Sequence, residues 1–207
     1  WKKLHAEEAK RFDQAWTLMA AHSNLDLQEA FGVVQSGLPV EEFLARRARV
    51  KKKEEVKVAR TAVGGDAIDA WIQARIADKA ELAFVLGERT ALDVLTAVEP
   101  VAFQLERAGR LEKLQVVVLG ARGTWEKRAP NLQRDPRLTQ KPVPVARQPA
   151  RRPVADPRPF QPLVGRTVWL ELRNGLQLEL PLLGVGPFDL RLGAPGEELF
   201  VPLPALL

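Results

Sequence analysis

Residues 168–178, VWLELRNGLQL, decide how the C-terminal part of this chain folds. Hydrophobic residues occupy every second position on both sides of the pair Asn174-Gly175. A period of two predicts strands with one buried face, and Asn-Gly between two such runs is a strong signal for a two-residue turn. The stretch therefore predicts a β-hairpin.

The strand pattern continues from this hairpin to the end of the chain. The segment FDLRL at 188–192 is followed by a turn at 193–196, and LFV at 199–201 leads into the last residues. About five short strands in so short a segment are typical of a small β-barrel. Residues 163–207 are therefore predicted to form one.

An upstream segment, residues 64–123, has a similar plan. Residues 66–77 have the apolar spacing of a short amphipathic helix, and hydrophobic residues then alternate at Leu82, Phe84 and Leu86. Further short apolar runs, separated by turn residues, extend to Val118. A helix followed by four or five strands predicts a second small barrel, so the chain is expected to contain an internal duplication.

The remaining segments differ in composition. In residues 1–63 apolar residues recur every three to five positions, and Pro39 suits the first turn of a helix, so this region is predicted to be helical. Two helices meeting at a glycine-containing turn fit either a DNA-reading helix-turn-helix or a packing and assembly element. Residues 124–162 contain nine prolines with arginines between them, which predicts an extended basic linker.

Positive charge is concentrated in two stretches. The chain has a net charge of +5, but residues 46–60 hold eight basic residues against two acidic ones, and residues 122–158 hold ten against three. Such stretches attract polyanions, because neutralised phosphates release counterions; a solvated helix face with a soluble linker is the alternative. The predicted RNA-contacting cations are Arg46, Arg47, Arg49, Lys51, Lys52, Lys53, Arg151 and Arg152.

Composition argues against catalysis. There is no cysteine, so disulfides and thiol chemistry are excluded, and the two histidines lack the carboxylate pattern of a metal site. No glycine-rich stretch continues into the Lys-Ser/Thr of a phosphate-binding loop. We expect no enzyme activity, no cofactor and no metal. The lack of a membrane-spanning apolar run, a signal peptide and cysteine leads us to expect a cytoplasmic protein.

Three pieces of the C-terminal segment together resemble the Sm/Lsm/Hfq family. They are the hairpin at 168–178, the strand FDLRL at 188–192 and the closing LFVPLPAL at 199–206. Residues 66–119 are similar, more loosely, to the bacterial Hfq form, with a helix before the strands. The resemblance implies an α+β chain in which an N-terminal α-helical segment precedes two tandem small Sm-like (SH3-like) β-barrels.

The resemblance also implies a function, an Hfq-like RNA chaperone or post-transcriptional regulator that binds single-stranded RNA. Phe188 stands where the family stacks an aromatic ring on a base, and Asn174 stands in the turn with which family members contact RNA near the pore. Phe188 could instead fill the barrel, and an Asn-Gly turn needs no ligand to explain it. Leu203 and Pro204 occupy the places of the Lys-His pair with which Hfq binds RNA.

Assembly is a further expectation from the resemblance. Sm barrels join the fourth strand of one to the fifth of the next, so three chains could form a six-barrel ring, while internal pairing of the two barrels would give a monomer or a dimer. The alternative function is an assembly scaffold, or a DNA-binding helix-turn-helix protein, whose barrels make protein contacts. Its partners would be DNA or an acidic protein.

Overall fold

The computed structural model describes residues 2–140 and 154–207. The chain divides into two compact units, Trp1–Glu55 and Val56–Leu207. No helix in the described residues has the length and apolar character needed to cross a membrane. The α-helices there are α1 (Lys2–Ala21), α2 (Leu27–Ser36), α3 (Val40–Val63), α4 (Asp66–Ala77) and α5 (Arg122–Arg128).

All the strands found in residues 2–140 and 154–207 lie in the second unit. They are β1 (Glu81–Val85), β2 (Thr90–Val98), β3 (Ala102–Leu105), β4 (Gly109–Glu112), β5 (Val118–Ala121), β6 (Gln133–Arg134), β7 (Thr167–Glu171), β8 (Leu176–Val185), β9 (Asp189–Ala194) and β10 (Glu197–Pro202). Short 3-10 helices at Lys113–Gln115, Arg158–Leu163 and Leu203–Ala205 connect or end them.

The first unit consists of helices with defined ends. Asp26 caps α2, because its carboxylate accepts a hydrogen bond from the Glu29 backbone N–H while the Glu29 carboxylate accepts one from the Asp26 N–H. Gly37 ends the helix in the left-handed conformation, with φ of 65°. The Phe12 and Phe31 rings meet edge to face, with their centroids 4.8 Å apart, and tie α1 to α2.

The ten strands of the second unit form one antiparallel sheet. Its order is β4-β3-β2-β1-β5-β10-β9-β8-β6, and β7 also pairs with β8. The strands fall into two groups, β1–β5 and β6–β10. The two groups join where β5 pairs with β10, with Leu199 opposite Gly120 and Phe200 opposite Leu119. β2 and β8, the longest strands, each contain a register shift, at Leu95/Ala97 and at Leu182/Gly184. Such bulges bend a strand and increase its local twist.

The predicted fold class, two tandem small closed Sm-like barrels, is therefore wrong. Strands occur in both predicted segments, and the hairpin at Asn174-Gly175 is present, but the sheet is open and continuous through both segments. The physical reason is backbone hydrogen bonding at the strand edges. An unpaired edge strand exposes backbone N–H and C=O groups, and here the edge of β5 pairs with β10 of the other group.

The strands at the joint are buried on both faces. Leu82 and Phe84 of β1 pack in one core, with the α4 residue Ile72, while Ala83 and Val85 pack in the other core, beneath β7–β10. β10 also contributes to both cores, because Phe200 packs with the first strand group and Leu199 with the second. Neither group can be removed without exposing apolar surface of the other.

A polar contact also holds the two groups together. Asn174, in the β7–β8 turn, is 1% exposed, and its amide N–H groups donate to the Leu86 and Gly87 carbonyls at 3.1 and 3.0 Å. Its side-chain oxygen accepts from the Leu176 N–H at 3.2 Å. The neighbouring Arg173 guanidinium, 4% exposed, donates to main-chain carbonyls that include Val116, and burial lowers its pKa.

The segment predicted to be an extended linker, 124–162, contains packed structure in its described parts. Trp125 of α5 is 8% exposed and belongs to the larger core. β6 pairs with β8, with Gln133 opposite Gln177, and Ala155 is also buried. The proline density predicts an extended segment without helix or sheet, whereas the described parts contain most of α5 and the strand β6, and apolar side chains there pack on the sheet.

Asn174→Ala is expected to destabilise the second unit by about 1–3 kcal/mol, because it leaves buried carbonyl groups without a donor. Chemical denaturation of the full chain measures this change. Asn131→Ala is the matched control, since Asn131 is exposed and should change the free energy of unfolding by less than about 0.5 kcal/mol. Equal effects of the two substitutions would show that the Asn174 contact does not hold the groups together.

Candidate functional site

The first candidate site is the basic segment of α3, residues 46–53 (RRARVKKK), in the first unit. The helix begins one residue after Pro39 and has Glu41 and Glu42 in its first turn. Carboxylates at this end stabilise the helix, because they interact favourably with its dipole. Eight residues of helix rise about 10 Å. The segment therefore presents six cations along about two turns of helix.

The six cations differ in exposure and in ion pairing. Arg47 is paired with Glu29 of α2, with 3.0 Å between guanidinium nitrogen and carboxylate oxygen. Lys53 is partly buried and has a contact of its own. The other four are exposed and make no ion pair with any residue in 2–140 or 154–207; they are Arg46, Arg49, Lys51 and Lys52. These four cations are therefore accessible to an anionic ligand.

Phe188, a predicted base-stacking residue, lies on the surface of the second unit. Its side chain is 57% exposed, so it does not fill a core. The guanidinium carbon of Arg60 lies 4.8 Å from the centre of its ring, a cation–π contact. Arg60 is held in turn by the Ala155 carbonyl, which accepts from its Nε at 2.8 Å, and burial lowers its pKa.

Asn174, the other family-derived site residue, is not on the surface. Its amide is used in the joint between the strand groups, so no donor or acceptor faces solvent. Arg151 and Arg152 lie outside the described residues. Leu203, at a place of the family's Lys-His pair, is buried and packs in the larger core.

A group of ionisable side chains near Phe188 was not predicted from the sequence. Burial raises the pKa of the Asp189 carboxyl to about 7, and the nearby charge of Asp69 acts in the same direction. The charge of Lys113 opposes the shift. Burial also lowers the pKa of Lys113. The Asp189 side chain lies against Gly186, where an added Cβ would be 2.5 Å from its Oδ1. These residues are far apart in sequence, so no local motif could reveal them.

Metal binding has no support from the described ranges 2–140 and 154–207, because no three side chains of His, Asp or Glu come together there. Comparison of the chain with protein-family models, with curated proteins and with solved structures gives no match. The candidate site is therefore described from the residues of this chain alone, and membership of the Sm/Lsm/Hfq family stays a prediction.

The raised pKa of Asp189 predicts a pH-dependent stability. A carboxyl that ionises near pH 7 when folded, but near 3.8 as an isolated side chain, binds more protons in the folded state at intermediate pH. The free energy of unfolding contributed by this group is therefore lost as pH rises from about 4 to about 7. Asp189→Asn should remove that loss. Denaturation curves that fall equally with pH in both proteins would contradict the assignment.

Proposed function

We propose that the chain binds single-stranded RNA through the basic segment of α3. The observation that carries the proposal is that four exposed cations in one helical segment lack an ion-pair partner among the described residues. Phosphates that such cations neutralise release their counterions, which drives binding without sequence preference. Residues 46–53 themselves contain no acidic residue to compete for these cations.

Phe188 supports a second contact, with bases rather than phosphates. An exposed aromatic ring contributes about 1–3 kcal/mol per stacked base, and it accepts any base because every base has a π face. Arg60, fixed to the Ala155 carbonyl, orients the Phe188 ring from within the second unit. Asn174 is not part of the proposed interface because its amide is buried; Arg151 and Arg152 stay predictions.

The choice of RNA rests on the resemblance of residues 165–207 to the Sm/Lsm/Hfq family. The finer form of the proposal is an RNA chaperone or post-transcriptional regulator in the cytoplasm, a binding protein rather than an enzyme. DNA or an acidic protein would use the same cations, and a homo-oligomer stays a prediction. Purified protein that retains nucleic acid removable by RNase, but not by DNase, distinguishes RNA from these partners.

Neutralising the four unpaired cations should reduce the salt dependence of RNA binding. Each phosphate contact with a single strand contributes about −0.7 to the slope of log affinity against log salt, so four contribute about −3. The quadruple glutamine variant should lose this part of the slope. Between about 50 and 200 mM salt, the wild type should then lose about 60-fold more affinity than the variant. Fluorescence anisotropy with a labelled unstructured RNA measures both slopes.

The control variant removes the same amount of charge elsewhere. It carries glutamine at four other exposed cations, Lys10, Arg11, Arg89 and Arg166. Its slope should stay within about one unit of wild type, because it keeps the α3 contacts. Equal slopes for the two quadruple variants would show that the basic segment is not the RNA contact.

Phe188→Leu should weaken RNA binding by about 1–3 kcal/mol without lowering the unfolding temperature, because the ring is exposed. Phe188→Tyr keeps a stacking surface and should bind like wild type. The same anisotropy assay compares them. Stacking is excluded if the leucine variant, folded to the same extent, binds RNA with unchanged affinity.

A further inference from the structure

The second unit contains a cavity that the basic segment and Phe188 do not line. It lies between the α3–α4 junction at Gly64-Gly65 and the strands β8 and β9, and its volume is about 260 Å³. At about 30 Å³ for each water-sized group, that volume holds about nine such groups. Four apolar residues contribute to the lining: Val63, Ile68, Val185 and Phe200. The cavity is therefore suited to a small ligand with an apolar part.

Two charged side chains of β9 share this cavity. Asp189 and Arg191 both line it, and Leu190 between them packs in the larger core. Strand residues alternate between faces, so Asp189 and Arg191 lie on the same face of β9. Side chains two positions apart on one strand begin about 7 Å apart, and no ion pair joins these two.

Neither charged side chain is paired elsewhere in the described parts of the chain. Arg191 Nε is buried and has no hydrogen-bond partner, and its guanidinium forms no ion pair there. The Asp189 carboxyl accepts no hydrogen bond from those residues either. Nearly all buried polar groups in proteins are hydrogen-bonded. A guanidinium and a carboxyl that share a cavity without partners therefore indicate a ligand that pairs with both.

Two glycines leave room beside these side chains. Gly184 stands opposite Arg191 in the β8–β9 register, and an added Cβ there would be 3.6 Å from Arg191 Nε. An added Cβ at Gly186 would be 2.5 Å from the Asp189 Oδ1. A side chain at either position would occupy space beside the charged groups, so the glycines keep the polar end of the cavity open.

The two charges select among classes of ligand. A simple anion would pair with Arg191 but face the Asp189 carboxylate, and a metal ion would face the Arg191 guanidinium. A neutral ligand would leave both charges unpaired, which is unfavourable in a partly buried site. A zwitterion pairs with both, because its carboxylate accepts from the guanidinium while its ammonium donates to the carboxylate. In an α-amino acid one carbon joins these two groups, which suits side chains that begin about 7 Å apart.

We propose that this cavity binds a free aliphatic α-amino acid, with the ligand carboxylate on Arg191, its ammonium on Asp189 and its side chain against the apolar lining. The terminus of a peptide offers only one of the two charges, so the free amino acid is the ligand that fits. The proposal does not rest on RNA binding.

L-Leucine is the probe, titrated into the full chain by isothermal titration calorimetry. Two blocked forms are the matched ligands, because N-acetyl-L-leucine lacks the ammonium and L-leucinamide lacks the carboxylate. Each should bind about 10- to 150-fold more weakly than leucine, since each loses its charge-assisted hydrogen bonds to one side chain. Failure of leucine to bind, or binding no tighter than that of either blocked form, overturns the proposal.

Substitutions assign each charge to its partner. Asp189→Asn should weaken leucine binding about 10- to 150-fold without weakening that of N-acetyl-leucine, and Arg191→Gln should do the same for leucine without affecting leucinamide. Glu179→Gln and Arg166→Gln remove exposed charges from the same strand group and should leave leucine binding unchanged. A variant that weakens leucine and its blocked form equally contradicts the assignment. The comparison of ligands on the wild type stands even if a variant fails to fold.

The proton on Asp189 gives a second readout. Burial raises the pKa of this carboxyl to about 7 in the free protein, and the charged groups around it are Asp69 of α4, Lys113 and Arg191. The ligand ammonium pairs with the ionised carboxyl, so leucine affinity should fall about tenfold for each pH unit below about 7 and stay level from about 7 to 8. Affinity that does not change between about pH 5 and 7, or a change that persists in Asp189→Asn, contradicts this pairing.

Discussion

The pairing of β5 with β10 is the constraint on which the second unit depends. It places Gly120 opposite Leu199, where an added Cβ on the glycine would lie 2.5 Å from a leucine methyl group. The close approach makes the two strand groups one sheet and gives its central strands two buried faces. Because the joint fixes the sheet, it also fixes β9, and with it the surface that carries Phe188.

Much of the local structure could be predicted from the sequence, but the way the strand groups join could not. The helix at 66–77 and the hairpin at Asn174-Gly175 follow from periodicity and turn chemistry, and both are present. Closure into two barrels was inferred from strand count. Yet LAFVL at 82–86 and VVVL at 116–119 are continuous apolar runs, and such runs indicate strands buried on both faces. An alternating pattern assigns these strands only one buried face, so the packing of both strand groups against them was not predicted.

The candidate sites show the same division between local and long-range information. Charge density along one helix is visible in the sequence, and the cations of α3 were predicted from it, although their pairing was not: the Arg47–Glu29 contact joins residues 18 positions apart. Asn174 was expected near RNA, but it hydrogen-bonds to carbonyls about 88 positions away, in the other strand group. No residue spacing encodes such a long-range contact.

Native-state hydrogen exchange of the full chain tests the central claim, that residues 56–207 form one cooperative unit because β5 pairs with β10. Increasing denaturant is added and amide exchange is followed in β2–β3 and in β8–β9. If the shared core joins the two groups, their slowest amides should converge on one opening free energy with one denaturant dependence. Amides of one group that exchange through a large opening while those of the other stay protected would contradict the claim, since the groups would then be independent.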